Sequence, residues 1–397
     1  MREVVLVEAV RSPIGRRNKG LADVHPVELA AQVLRALSQR CGLDPVLIDD
    51  VVMGCVSQAG EQAGNIARMA VLAAGWPETI PGVTVDRQCG SSQQAIQFAV
   101  ASVMSGIQDV VVAAGVESMT RVPMGAARLD VESALGPAVE QRYGLRRFDQ
   151  GAGADQIAEQ WNLSREYLDD LSAESHRRAA AAQDAEDFAG EIVPIVAPDG
   201  RILDTDEGIR RGTTPEKLAG LDPAFGGRHT AGSSSQISDG AAAVLVMAAE
   251  RANELGLTPL ARLHAFSVVG TDPVMMLTGP IPATADVLGK AKLSLTDIDT
   301  FEVNEAFAAV LGAWLAETGA DPATVNPQGG AIALGHPLGA SGARLMTTMV
   351  HRMRREGARW GLQTMCEGGG DEAAASRHRG HQCPSTSPRP NPTTRSL

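Results

Sequence analysis

The sequence predicts an α/β protein made of two related halves. Three observations carry that expectation. Short apolar runs of strand length alternate with longer stretches of helical spacing. Segments recur in the same order at an offset of 250 residues, as from Ile48 to Ile298. A more charged, loop-rich stretch at about 119–248 interrupts the alternation and reads as an inserted subdomain.

The elements follow in order. Val4–Val10 reads as a buried strand, and Val27–Leu37 as a helix with Leu29, Val33 and Leu37 on one face. Asp50–Met53 is a short strand. Ser91–Met104 is a helix facing its core with Ala95, Ile96, Ala99, Val100 and Val103, and Asp109–Gly115 is a buried strand. The insertion carries a helix around Ser164–Gln183, after which Leu260–Val269 restarts the strand pattern. In the repeat, Ile48–Met53 parallels Ile298–Val303. Thr84-Val85-Asp86 leads into Cys89-Gly90-Ser91 much as Thr324-Val325-Asn326 leads, over a longer loop, into Gly339-Ala340-Ser341-Gly342. Val110–Gly115 ends at Val116-Glu117, and Leu362–Met365 ends at Cys366-Glu367. Two like halves packed together bring their helix starts to one cleft.

Composition narrows the function. The 397 residues are 44% hydrophobic but only 3% aromatic, with 42 glycines, which suits close packing of backbones. A net charge of −12 argues against a nucleic-acid or acidic-membrane surface, though not against a local basic patch for an anionic ligand. The five cysteines are scattered without CxxC or Cys/His spacing, so neither a zinc site nor a disulfide framework is expected. The first residues lack a signal-peptide pattern, and no apolar run reaches the ~18 residues of a membrane span. A cytoplasmic protein is the expectation.

Four places can carry chemistry. Cys89 falls between a strand and a helix start, where the helix dipole favours a thiolate; it can equally be a small buried thiol. His336 lies in the glycine-rich run Gly329–Gly342, a loop pressed against something, or a histidine satisfying backbone carbonyls. That run lacks the Lys-Ser/Thr of a phosphate loop. Cys366 opens Cys366-Glu367-Gly368-Gly369-Gly370, whose backbone N–H groups can converge as an oxyanion hole or merely form a turn. Asn304, at a strand end, can hold a water or an oxyanion, or cap the next helix. A thiolate, a base, oxyanion donors and a second thiol to move a proton alpha to a thioester are the needs of a Claisen reaction rather than of a hydrolase.

With these residues in view, the chain resembles the thiolase family, the acetyl-CoA acetyltransferases and 3-ketoacyl-CoA thiolases, from Val4 to about Gly370. The motifs are Arg11-Ser12-Pro13-Ile14-Gly15, Gln88-Cys89-Gly90-Ser91, Gly115–Met119, His229-Thr230-Ala231-Gly232 with Ser238–Ala241, Asn304-Glu305-Ala306-Phe307, Gly335-His336-Pro337 and Cys366–Gly370. The resemblance implies the thiolase fold: two βαβαβαββ halves in a layered α-β-α-β-α core with an inserted loop domain. The halves would be 1–118 with about 249–260, and 260–370, around an insertion at 119–248. By motif, Cys89 is the acylated nucleophile, His336 its activating base, and Cys366 the acid/base for the incoming acyl-CoA. Asn304, through a water, and His336 form one oxyanion hole; the N–H groups of Cys89 and Gly368 form the other. Ser235 matches a contact to the pantetheine arm, and Arg210 a residue near the CoA adenine. The implied activity is a reversible Claisen condensation and thiolytic cleavage of a 3-oxoacyl-CoA, in fatty-acid metabolism such as β-oxidation. Coenzyme A and acyl-CoA are substrates, with no permanently bound cofactor or metal. The implied assembly is a homodimer or homotetramer.

After Gly370 the sequence departs from the family's final apolar strand. Residues 371–397, rich in Pro, Arg, Ser, Thr and His, read as a disordered tail. The abruptness points to a reading-frame change near codon 371; the plainer alternative is a lineage-specific tail. Two rival functions follow: a decarboxylating ketoacyl synthase of the same fold, disfavoured by a single strong histidine and by Cys366, and a non-catalytic acyl-CoA-binding relative. The acyl group itself is not legible.

Overall fold

A computed structural model describes residues 2–129 and 131–378. The first half contains β1 (Val4–Arg11), β2 (Gly15–Arg16), α1 (Pro26–Cys41), β3 (Asp50–Gly54), α2 (Ile66–Ala73), β4 (Gly82–Val85), α3 (Ser91–Ser105) and β5 (Val110–Ser118). A long excursion follows with α4 (Pro137–Tyr143), α5 (Gln150–Gln160), α6 (Arg165–Asp184), the two-stranded β6 (Ile195–Val196) and β7 (Ile202–Leu203), and α7 (Pro215–Ala219). The chain re-enters the core with β8 (Ser238–Ala248) and α8 (Ala249–Glu254). The second half runs β9 (Ala261–Gly270), α9 (Pro280–Ala291), β10 (Thr300–Val303), α10 (Ala308–Thr318), α11 (Ala331–Leu334), α12 (Ser341–Glu356), β11 (Trp360–Cys366) and β12 (Asp371–His378).

Strand order displays the repeat. The path is β10-β11-β12-β9-β1-β8-β5-β3-β4. Read from its middle outward, β1-β8-β5-β3 mirrors β9-β12-β11-β10. In each half the two parallel strands (β3 with β5, β10 with β11) lie outside two antiparallel ones. The half-sheets meet only at Val5–Arg262 and Leu6–Ala261. Between them α3 and α12 lie against each other, and glycines permit the approach. A methyl group on Gly342 would sit 2.3 Å from the Gln93 nitrogen, and one on Gly115 2.2 Å from the Gly339 carbonyl oxygen. Ala343 N–H donates to Ser92 Oγ across this seam at 2.9 Å.

Two boundaries differ from the sequence reading. Ser238–Ala248 was placed inside the insertion, but it is a wholly buried central strand between β1 and β5. The excursion therefore ends near 237. The tail was expected from Asp371, yet 371–378 forms β12, paired to β11 on one side and β9 on the other. Two flanking strands with open hydrogen-bonding edges impose the extended backbone there, whatever the local propensity. The rest of the expected tail, 379–397, lies outside the described residues.

The excursion is pinned to the core by Arg11 of β1. Its buried guanidinium bonds Glu191 Oε1 at 2.5 Å and both oxygens of Asp206 at 2.7 and 2.9 Å. A buried charge is tolerated when paired and hydrogen-bonded in this way.

Candidate active site

The turn carrying Cys89 joins β4 to α3. Gln88 adopts φ +45°, a left-handed conformation rare for a residue with a side chain and found where a site demands it. The turn is held from both ends: Asp86 accepts from Gln88 N–H at 2.7 Å, and Ser91 Oγ accepts from Arg87 N–H while donating to Gln88 O. Cys89 itself is buried, packed with Met119, Leu338, Leu345 and Met365. It stands one residue before the helix N-cap Gly90, a sharp strand-to-helix turn of the kind that presents a nucleophile.

His336 follows α11 and Gly335, whose φ of +109° only glycine takes comfortably. Its Nδ1 lies 2.6 Å from Ser341 Oγ. Ser341 spends its only proton on Pro337 O at 2.8 Å, so it accepts from His336, and the ring hydrogen sits on Nδ1. Nε2 is thereby left with a lone pair. It faces Asn304 Nδ2 at 3.4 Å. Burial, and secondarily the nearby Arg344 guanidinium, push the imidazole down to about 3, so it rests neutral.

Asn304 directly follows β10 and is fully buried. Its Oδ1 has no hydrogen-bond partner among the described residues, so it can receive a water. Cys366 is the last residue of β11, buried against Ala306, Phe307 and Ile332. The loop after it lies on the Cys89 turn. A methyl group on Gly368 would come 3.3 Å from Gln88 Oε1, and one on Gly90 only 1.6 Å from Glu367 Oε1.

Strand ends and helix starts of both halves thus converge, as the repeat predicts. His336 and Asn304 are in direct contact, and the Cys366–Gly368 loop meets the Cys89 turn. Ser235 sits beside them, donating its N–H to Ala306 O at 2.9 Å. Arg210 lies at the exposed surface beyond Gln236. Its N–H donates to His176 Nδ1, and its Nη2 reaches Gln236 Oε1 at 3.5 Å. Among the described residues no carboxylate pairs with it, and burial together with Arg16 lowers its proton affinity. Three participants escaped the sequence reading. Ser341 fixes the tautomer of His336. Glu117 accepts from Val56, Ser57 and Gly339 N–H groups. Glu367 lies against Gly90. The offset of 250 residues touches all three, since it maps Ser91 onto Ser341 and Glu117 onto Glu367.

Among the described residues no three His, Cys, Asp or Glu side chains gather as a metal site, and no helix is long and apolar enough to cross a membrane.

Comparison with known proteins agrees along the whole described chain. The pattern "Thiolase, N-terminal domain" matches residues 4–250, and "Thiolase, C-terminal domain" matches 257–378, eight residues past the point where the likeness was expected to stop. A steroid 3-ketoacyl-CoA thiolase of Mycobacterium tuberculosis is 52% identical over 93% of this chain and 92% of its own length. A 3-ketoacyl-CoA thiolase of Cronobacter sakazakii is 45% identical over 94% and 98%. A crystal structure of the Bacillus anthracis acetyl-CoA acetyltransferase superposes with a TM-score of 0.88 at 39% identity, covering 95% of this chain and 99% of that one.

Proposed function

We propose how this chain, which belongs to the thiolase family and is an acyl-CoA C-acyltransferase, divides its chemistry among residues. Cys89 is the nucleophile. Its proton passes to Nε2 of His336, and the thiolate attacks the 3-oxo carbon of a 3-oxoacyl-CoA. The negative charge that forms on the carbonyl oxygen is met by His336 and by a water on Asn304. The C2–C3 bond breaks, and its electron pair leaves as the acetyl-CoA enolate, which takes the Cys366 proton. Free CoA then attacks acyl-Cys89 and gives its proton to the Cys366 thiolate. Cys89 departs as a thiolate and recovers its proton from His336. The N–H groups of Cys89 and Gly368 receive the charge on the thioester oxygen.

The observation that carries this reading is the His336 tautomer. A neutral imidazole with its hydrogen committed to Ser341 offers one basic nitrogen, aimed at the same space as Asn304. Ser235 fits a contact to the pantetheine arm. Arg210, near Arg16 and paired with no carboxylate among the described residues, supplies positive charge suited to a phosphate of CoA. The physiological substrate is inferred to be larger than acetoacetyl-CoA. The relative at 52% identity acts on steroid 3-ketoacyl-CoA by its name, whereas the acetyl-CoA acetyltransferase of Cupriavidus necator is 39% identical. A homo-oligomer is also inferred. β4 ends the sheet with an open edge, and Met69, Leu72, Val83 and Phe98 beside it are apolar and exposed.

The test is a thiolysis assay over a ladder of 3-oxoacyl-CoA lengths, including a ring-bearing one. Cleavage that favours the larger acyl groups and vanishes in Cys89→Ala supports the reading. Undiminished turnover in Cys89→Ala overturns it. Light scattering on the purified protein reads the assembly.

A further inference from the structure

The repeat places two buried carboxylates at matching positions, Glu117 near the end of β5 and Glu367 just after β11. Each lies against the catalytic turn of the opposite half. Glu117 Oε2 accepts from Gly339 N–H at 2.9 Å, within the His336-to-α12 turn of the second half. The same carboxylate accepts from Val56 and Ser57 N–H at 2.8 and 3.0 Å and from Gln62 Nε2 at 2.9 Å. It thereby ties the end of β3 to the turn that carries His336. Glu367 mirrors Glu117 in its packing: as Glu117 Oε2 fills the space over Gly339, 2.7 Å from where its methyl group would be, Glu367 fills the space over Gly90. Its Oε1 lies where a methyl group on Gly90 would be, 1.6 Å away, so this side chain occupies the space over the backbone immediately after Cys89. Glycine at 90 is what admits it.

We propose that Glu117 and Glu367 are a matched pair of positioning residues, each fixing the other half's catalytic turn, so that His336 and Cys89 are held in register across the seam between the halves. The acid side chain suits the task because one carboxylate can gather several backbone N–H donors at once, which no neutral side chain of the same length does. Burial raises the proton affinity of Glu117, and its four donors oppose that rise by holding the anion. The proposal rests on the assignment of Cys89 and His336 above.

The experiment uses the full chain. Glu117→Gln and Glu367→Gln keep length and shape but remove the charge, and at 117 the change turns an N–H donor toward the N–H groups of Val56, Ser57 and Gly339. In folded protein, checked by circular dichroism, each is expected to lower kcat about 10- to 100-fold with KM little changed, and to move the pH profile of Cys89 alkylation, because a misplacement of about 1 Å at the reacting groups costs rate on that order. The variant Gly90→Ala/Glu367→Ala guards against a packing effect, since the new methyl group fills the space that the shortened side chain vacates. It is expected to stay as slow as Glu367→Gln. Wild-type kcat and an unmoved alkylation profile in both Gln variants overturn the pairing, as does full recovery in the double variant. Both outcomes are distinct from a failed site assignment, in which Cys89→Ala itself retains turnover.

Discussion

The two halves share a topology but not a chemistry. Where the first half has Cys89 at its turn, the second has Gly339, and where the first has Asp86 three residues earlier, the second has His336. The end of β3 offers Gly54 and Cys55; the end of β10 offers Asn304 and Glu305. The end of β5 offers Val116, where β11 offers Cys366. On the assignment proposed above, one half supplies the nucleophile and the other the base, the acid and Asn304. The difference teaches that the fold provides two equivalent places for reactive groups, and sequence divergence decides which of them is armed. The same contrast reaches the core, where Glu302 stands at the position of the apolar, buried Val52.

The sharpest break in the comparison is chemical. Cys89→Ala is expected to cut thiolysis by at least about 10⁴-fold, since the covalent path is lost. Cys366→Ala is expected to fall by about 10²–10⁴-fold. Mass spectrometry should find a smaller burst of acyl-Cys89, because enolate departure then lacks its acid. Its counterpart Val116→Ala should cost stability and leave kcat within about 3-fold. Equal losses at 116 and 366 would erase the asymmetry.

Next comes the tautomer. Ser341→Ala frees His336 Nδ1 and should lower kcat about 10-fold through loss of ring orientation, with the fold intact. An unchanged kcat would remove Ser341 from the account.

A smaller effect separates the cores. Burial pushes the Glu302 carboxyl up to about 8, against the opposing pull of Arg344. A folded-state value raised above 4.5 gives stability that is whole below pH 4.5 and drains away as pH rises toward 8. Glu302→Gln should therefore melt higher than the parent by a margin that widens from pH 5 to pH 8, reaching about 1–3 kcal/mol. A flat margin would mean that Glu302 ionises in the fold as it does in the open chain.

Much of this was legible in the sequence, for identifiable reasons. Cys89, His336 and Cys366 stand in glycine-rich junctions between regular elements, and junctions of that kind leave a pattern. The repeat at 250 residues foretold that these junctions would meet. The offset marks Glu117 and Ser341 as paired positions but not their roles, because they act on backbone N–H groups and a ring nitrogen, which leave no mark in the sequence. The extent of β8 was legible but misassigned: Ala241–Ala248 is an unbroken apolar run of strand length. β12 was not, because Ser-Arg-His carries no strand propensity and its backbone is set by neighbours 100 residues earlier in β9 as much as by β11.

The position of β12 bears on how the protein is made. The strand placed between β9 and β11 is the last of the described chain, whereas its counterpart β8 is followed by the whole second half. A chain leaving the ribosome can therefore complete the first half-sheet well before synthesis ends. The second half-sheet must keep β9 and β11 apart and unpaired on their facing edges until β12 emerges. Nascent second halves are for that interval the stickier species, and shortening the chain by a few residues before 378 would strand them in it.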